Sequence, residues 1–155
     1  MNIPKPIVQL TYFLARTYWR IFKPIEIGVR AILIKDNKVV LVKPKYKKVW
    51  NIPGGGLKRG ETPEKAVRRE VWEETQVKMN NLDLIGIYTN FTEGKTDNII
   101  VFFCDDFMMK GDEFSWEIEE KRFFKLNNLP NNFNKGAKRR LEEILTEKKK
   151  QFHIW

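Results

Sequence analysis

The sequence predicts an α/β fold in which a mixed β-sheet lies between helices, with an amphipathic helix ahead of it. Apolar, β-branched segments alternate along the chain with charged segments of helical periodicity. With 155 residues and 42% hydrophobic content, the chain suits one domain with a packed core. We therefore divide it into an N-terminal helix (1–24), a globular domain (25–150) and a C-terminal tail (151–155).

The N-terminal segment is predicted to be an amphipathic helix that ends near Pro24. It contains four basic residues and no acidic one. Its apolar side chains recur at near-helical spacing, at Ile7, Leu10, Phe13, Leu14, Ile21 and Phe22. Polar residues such as Arg16 and Arg20 interrupt this run well short of the ~18 residues that a membrane span needs.

Two interpretations of this helix stay open. In the first, which we favour, it packs on the domain or on a second subunit, and a dimer is expected. In the second, it lies on an anionic membrane surface, with Tyr12, Tyr18 and Trp19 as interfacial anchors. Helical periodicity alone is compatible with both arrangements.

The domain is predicted to begin with two strands, Ile25–Ile34 and Val39–Val42, joined by a turn at Lys35–Lys38. A short strand is expected at Trp50–Ile52. Three further strands are predicted at Leu82–Tyr88, Ile99–Cys104 and Ile118–Phe124. A last amphipathic helix over Lys135–Lys149 would place Ala137, Leu141 and Leu145 on one face.

A short helix over Pro63–Thr75 is predicted between these strands. Thr62 can cap its N-terminus, and Pro63 suits the first helical position because it lacks only an N–H that would be unpaired there. Three carboxylates, Glu70, Glu73 and Glu74, follow at i, i+3 and i+4 and project from one helical face. A hard divalent cation such as Mg²⁺ would offset their mutual repulsion.

These residues form part of a pattern that resembles the Nudix box, G-x5-E-x7-R-E-U-x-E-E-x-G-U, where U is a bulky aliphatic residue. Eight of its nine defined positions match, at Gly55, Glu61, Arg69, Glu70, Val71, Glu73, Glu74 and Val77. Gln76 stands where the family has its last glycine. That glycine would ease a left-handed helix end, so we expect a small stability cost and no loss of chemistry.

The resemblance implies a Nudix-type α/β/α sandwich over residues 25–150 and a pyrophosphohydrolase that acts on phosphorus-containing acid anhydrides. It implies Glu70, Glu73 and Glu74 as ligands of Mg²⁺, with Mn²⁺ as a possible substitute. Glu70 would help to activate water, and Arg69 would orient a carboxylate, because a guanidinium is no base at neutral pH. Glu61 would hold the loop by hydrogen bonds to backbone N–H groups or to Arg69.

A further acid is expected from the segment near Phe123, with Glu117 as first candidate and Glu120 as second. The general base is left open among these groups and the box carboxylates. The substrate would be a nucleoside diphosphate linked to another moiety, as in a nucleoside triphosphate, a nucleotide sugar or a dinucleoside polyphosphate. The family's ADP-ribose pyrophosphatases usually carry a proline shortly after the box. This chain has none between the box and Pro130, so the resemblance disfavours ADP-ribose as substrate.

Substrate contacts are expected from residues around the glycine turn that precedes the helix. They are Arg30 and Lys43 for phosphates, Tyr46 and Trp50 for stacking on a base, and Gly55 and Gly56 for close backbone approach. The net charge is +9, and eight basic residues between positions 35 and 59 stand against one acidic residue. A basic rim of this kind suits a polyanionic substrate.

Composition narrows the remaining alternatives. The single cysteine, Cys104, lies in an apolar run and cannot form an intrachain disulfide, which suits the cytoplasm. The only histidine, His153, argues against a zinc site or histidine-based catalysis.

No nucleic-acid-binding motif is present, so nucleic acid is not an expected partner. The alternative function is a catalytically silent Nudix module that binds nucleotide or a protein.

Overall fold

The computed structural model describes residues 4–22, 25–91, 94–113, 115–147 and 151–155, and these form three helices and eight strands. The helices are α1 (Lys5–Phe22), α2 (Pro63–Thr75) and α3 (Lys135–Leu145). The strands are β1 (Ile25–Lys35), β2 (Lys38–Pro44), β3 (Val77–Met79), β4 (Asp83–Asn90), β5 (Thr96–Cys104), β6 (Phe107–Met109), β7 (Ile118–Lys125) and β8 (Gln151–Ile154).

Six strands form one mixed sheet in the order β7-β2-β1-β5-β4-β8. Strand β1 lies near its centre, parallel to β5 and antiparallel to β2. Since side chains alternate along a strand, Val29, Ala31 and Leu33 face one side of the sheet and Ile32 faces the other. The first side packs against α2 and the second against α3, with a separate cluster of buried residues on each. The predicted α/β/α sandwich with a mixed sheet is confirmed.

The predicted bounds of α2 agree with the structure. Five of the six strands of the main sheet lie close to their predicted positions, and β8 is the one that was not predicted. The predicted strand at Trp50–Ile52 is wrong, because this segment forms only isolated bridges to Val42 and Phe133. The small sheet of β3 and β6 was not predicted. Three-residue strands carry too few residues for a periodicity to be detected.

The last helix begins at Lys135 as predicted and ends at Leu145, whereas Lys149, its predicted end, lies outside the described residues. Ala137 and Leu141 are fully buried, but Leu145 is 49% exposed. The three residues share one helical face as predicted, but Leu145 falls in the final turn of the helix and is only partly covered.

Residues 151–155 complete the sheet, so their separation as a tail differs from the structure. Strand β8 pairs in parallel with β4, and the Trp155 N–H donates to the Thr89 carbonyl at 2.9 Å. The Trp155 indole lies so close to Gly136 that a side chain there would collide with it. Four residues carry too short a pattern to predict a strand whose partner lies more than 60 residues earlier.

Helix α1 lies against the domain through a narrow inner face. Val8 is buried, the Tyr12 ring stacks on Tyr46, and the Lys5 ammonium pairs with Glu119 at 2.7 Å. The opposite side exposes an outer stripe, which we define as Ile7, Leu10, Leu14, Tyr18 and Ile21. Pro24, the predicted end of the helix, lies outside the described residues.

Packing of α1 on the domain, one part of the favoured interpretation, is thus observed. Contact of the outer stripe with a second subunit or a membrane stays a prediction. Within the described ranges, no helix combines the length and apolarity that crossing a bilayer requires.

Candidate active site

Helix α2 is placed by its cap and by its apolar side. The Thr62 hydroxyl accepts from the Lys65 N–H at 3.3 Å, and Pro63 occupies the first turn. Ala66, Val67 and Val71 are fully buried against the sheet. Because these three side chains fix the rotation of the helix about its axis, the neighbouring acidic residues face a cavity.

This acidic cavity has a volume of about 460 Å³. The carboxylates of Glu70, Glu73 and Glu74 line it from α2, and Glu117 lines it from the segment just before β7. Arg30 on β1 and Tyr46 after β2 also contribute to its walls. The tertiary structure therefore brings together the three box carboxylates and the distal acid predicted first.

Arg69 connects the loop before α2 to the acidic face of the helix. Its Nε donates to Glu61 Oε1 at 2.8 Å, its Nη2 to Glu61 Oε2 at 2.9 Å, and its Nη1 to Glu70 Oε1 at 2.6 Å. The Lys58 N–H also donates to Glu61, at 3.0 Å. Both kinds of hydrogen bond predicted for Glu61 are present, and they lower the pKa of its carboxyl to about 2.

Two other acids of the cavity, Glu74 and Glu117, have raised pKa values, so their protonated forms are favoured. Burial raises the pKa of Glu74 to about 8, and the negative charges of Glu70 and Glu117 add to this shift, whereas Arg30 opposes it. Burial likewise raises the pKa of Glu117, with further contributions from Glu70 and Glu73. Four carboxylates therefore share one enclosed space with too little positive charge to balance them.

The glycine turn before α2 is shaped by close contacts with these carboxylates. The Gly54 N–H donates to Glu74 Oε2 at 2.8 Å, and Gly54 has a φ of 139° that side-chain-bearing residues rarely adopt. A Cβ on Gly55 would lie 2.5 Å from the Glu70 carboxylate. Only glycine at both positions lets the backbone pass this close to the acidic face.

The residues of the cavity fit a divalent cation in chemistry and charge. Carboxylate oxygens are the ligands that hard cations prefer, and a cation would offset the repulsion that adds to the effect of burial on the pKa of Glu74 and Glu117. Among the described residues, however, no three acidic, histidine or cysteine side chains are arranged as a ready set of ligands. Arg69 instead engages Glu70 and Glu73, the latter at 3.3 Å.

Most of the predicted substrate contacts lie where they were expected. Arg30, Tyr46, Gly55 and Gly56 all line the acidic cavity. Of the basic block between positions 35 and 59, Lys58 lines the same cavity. The other basic residues of this block lie on several surfaces, because positions 35–59 span the end of β1, the turn after it, β2 and the following loop.

Two predicted substrate contacts lie away from the acidic cavity. Trp50 is 6% exposed and packs edge-to-face on Phe124 at 4.9 Å between ring centroids, so it belongs to the core. The Lys43 ammonium pairs with Glu120 and lies 3.6 Å from Glu119, outside the acidic cavity. Glu120, the second candidate for the distal acid, is thus already paired.

A second cavity, of about 650 Å³, was not predicted from the sequence. We call it the aromatic chamber and define it by Tyr12, Trp19, Tyr46, Phe133 and Trp155. Tyr12 and Trp19 were interpreted as membrane anchors, but both lie on the inner face of α1 and line this chamber. Their spacing of seven residues, two helical turns, was the signal that they share one face.

Comparison with known proteins agrees with this fold. The profile of the NUDIX domain family matches residues 24–144. A protein of Methanocaldococcus jannaschii named ADP-ribose pyrophosphatase is 35% identical over 120 residues, which cover 72% of this chain and 69% of the relative. A MutT-like protein of Streptomyces ambofaciens is 35% identical over 80 residues, 51% of each chain.

The fold also matches solved structures. A MutT NUDIX hydrolase from Burkholderia pseudomallei superposes with a TM-score of 0.68 at 23% identity, over 77% of this chain and 98% of that one. The match of the family profile to most of the chain and the placement of the box carboxylates around one cavity lead to the same conclusion. This chain belongs to the Nudix family.

Proposed function

We propose that this Nudix enzyme is a divalent-metal-dependent hydrolase that cleaves the pyrophosphate bond of a nucleoside diphosphate linked to another moiety. Pyrophosphate hydrolysis as a reaction class follows from the family and from the names of its relatives. The observation that supports the finer proposal is the convergence of Glu70, Glu73, Glu74 and Glu117 on one cavity that also contains Arg30.

Glu70, Glu73 and Glu74 are the residues proposed to hold Mg²⁺, with Mn²⁺ as a substitute. A divalent cation bound there supplies charge neutralisation for the diphosphate and lowers the pKa of bound water. Arg69 keeps Glu70 in place through its link to Glu61, and the Gly54 N–H keeps Glu74 in place. Both interactions preorganise oxygen donors before the substrate arrives.

In the proposed reaction, a water oxygen attacks one phosphorus atom, and the bond from that phosphorus to the bridging oxygen breaks. The proton of the attacking water passes to a carboxylate, for which Glu117 and Glu70 are the candidates. A raised pKa suits Glu117 to this role, since a general base works best when its pKa approaches the working pH. Arg30 and Lys58 lie where they can contact phosphate oxygens.

The proposed substrate class includes nucleoside triphosphates, nucleotide sugars and dinucleoside polyphosphates. ADP-ribose belongs to the test set as well, because a relative that this chain matches over 72% of its length is named ADP-ribose pyrophosphatase. The proline missing after the box is a single position, whereas this similarity extends over 120 residues. We also propose a cytoplasmic location, which a free, buried Cys104 supports.

The test is a panel of these compounds incubated with the full chain and Mg²⁺ or Mn²⁺, with products separated by chromatography. We expect two phosphate-bearing products from at least one compound, and no product when EDTA replaces the metal. Binding of the same compounds without any cleavage would overturn the proposal in favour of the catalytically silent module.

A further inference from the structure

The aromatic chamber adjoins the acidic cavity. Arg30 and Tyr46 line both spaces, so the two cavities lie side by side. The chamber volume of about 650 Å³ lies within the range of small-molecule sites. A substrate with its diphosphate beside the carboxylates could therefore extend its remaining part into the chamber.

Helix α1 supplies one wall of this chamber. The rings of Tyr12 and Tyr46 stack with centroids 4.7 Å apart and planes 21° apart. Trp19 meets the edge of Tyr12 at 6.2 Å, and the Lys95 ammonium lies 4.0 Å from the centre of the Trp19 ring. These contacts join α1 to the loop after β2 and to the segment before β5.

The loop between β4 and β5 approaches the helix closely as well. A Cβ on Gly94, which has a φ of 80°, would lie 2.9 Å from the Arg20 Cα. Helix α1 is therefore fitted to the domain at both ends, with the Lys5–Glu119 ion pair near its N-terminus and this contact near its C-terminus. Between these two ends, its inner face is held at the chamber by the contacts of Tyr12 and Trp19.

The remaining lining of the chamber is mostly polar, apart from Val49, Ile99 and Gly136. Side chains of Asn51, Asn90, Asn132 and Asn134 line it, and primary amides carry both donors and acceptors. Flat aromatic walls with amide groups between them suit a nucleobase, which has a π-face for stacking and a polar edge for hydrogen bonds. A simple phosphate would use the amides but not the rings.

We propose that the aromatic chamber binds the base of the substrate and that Tyr12 and Trp19 are specificity-determining residues. The proposal rests on the proposed function for the position of the diphosphate. The family profile begins at residue 24, so α1 lies outside the matched region. Base recognition by Tyr12 and Trp19 would thus use residues that the family profile does not cover.

The test compares base-bearing and base-free ligands by calorimetry on the full chain without metal. AMP, GMP, CMP and UMP are the base-bearing probes, and ribose 5-phosphate is the base-free probe. We expect the wild-type chain to bind at least one monophosphate roughly tenfold more tightly than ribose 5-phosphate, which is the scale of one base–aromatic stack. Tyr12→Ala and Trp19→Leu should remove this preference, and Trp19→Phe should retain part of it.

Tyr18→Ala is the matched control, because Tyr18 lies on the same helix but in the exposed outer stripe. It should leave the preference unchanged, and circular dichroism melting of each variant checks that the chain is folded. An absent preference in the wild-type chain, or an equal loss in Tyr18→Ala, would overturn the proposal. If the preference holds but no compound is cleaved in the panel, the proposed function fails while the chamber stands.

Discussion

Arg69 donates to both carboxylate oxygens of Glu61 and, through its remaining nitrogen, to Glu70. One guanidinium thus ties the loop before α2 to the acidic face of the helix. The guanidinium holds its donors in a fixed plane, so it can bind two carboxylates at once in a defined geometry. A lysine ammonium on a flexible side chain would fix these positions less well. The positions of the loop and of the proposed metal ligands are therefore coupled.

This coupling predicts a specific pH dependence of stability. The pKa of Glu61 is about 2 in the folded chain, below its ordinary value of 4.5, so its stabilising effect is complete above about pH 4.5 and is lost as pH falls towards 2. Glu61→Gln should lower the free energy of unfolding at pH 7, with a difference from wild type that shrinks as pH approaches 2. Urea unfolding between pH 7 and pH 2 measures this.

Glu64→Gln is the control for that series, because Glu64 pairs with Arg68 on the exposed side of the same helix. Its difference from wild type should stay small throughout. A Glu61→Gln difference that is independent of pH would contradict the structural explanation.

Glu73→Gln should reduce Mg²⁺-dependent cleavage by at least roughly a hundredfold, because it removes a charged oxygen donor from the proposed metal site. The fold should remain intact, since the Glu73 side chain is 44% exposed. Product release in the compound panel is the measurement, with circular dichroism as the folding check. Glu64→Gln again serves as the matched variant, and wild-type turnover in Glu73→Gln would show the ligand assignment to be wrong.

The distal acid is tested by comparing Glu117 with Glu120. Glu117→Gln should lower kcat by roughly a hundredfold if its carboxylate takes the proton of the attacking water. Glu120→Gln should leave kcat near the wild-type value, because Glu120 pairs with Lys43 and Arg122 away from the acidic cavity. Steady-state kinetics at saturating substrate separate the two, and the reverse order of effects would reject Glu117.

Gln76→Gly should stabilise the chain by up to about 1 kcal/mol. Gln76 caps α2 with φ 57° and ψ 26°, a left-handed conformation that glycine adopts without steric cost. Denaturant unfolding measures the change. Gln76→Ala keeps the strain and should show no gain, so a similar gain in both variants would exclude relief of backbone strain as the cause.

The outer stripe predicts self-association of the chain. On a helical projection at about 100° per residue, its five residues fall within one arc, while Lys5, Arg16 and Arg20 fall on another side. Two copies can therefore face each other through uncharged surfaces, whereas a helix on an anionic membrane usually carries basic residues beside its apolar face. We expect a dimer by sedimentation velocity.

The double variant Leu10→Glu/Leu14→Glu should shift that dimer to monomer, and Gln9→Glu, a single added charge on the same helix, should not. A monomeric wild-type chain that floats with anionic vesicles would contradict self-association and assign the stripe to a membrane.

Sequence patterns alone determined the parts of this protein that depend on neighbours along the chain. The bounds of α2 follow from Thr62, Pro63 and an apolar spacing that one helix can satisfy by itself. The box carboxylates could be placed on one face for the same reason. The left-handed end at Gln76 was also expected, because the conformation at a helix terminus is a local property.

Only the tertiary structure decided which distant residues meet. Glu117, and not Glu120, lies in the acidic cavity. Trp50 is buried in the core. Tyr12 and Trp19 line a chamber that also contacts Arg30. These outcomes depend on strand order, on the rotation of α1 and on pairing between segments far apart in the chain. Such long-range distances leave no periodic signal in a single sequence, because each is the result of many packing contacts acting together.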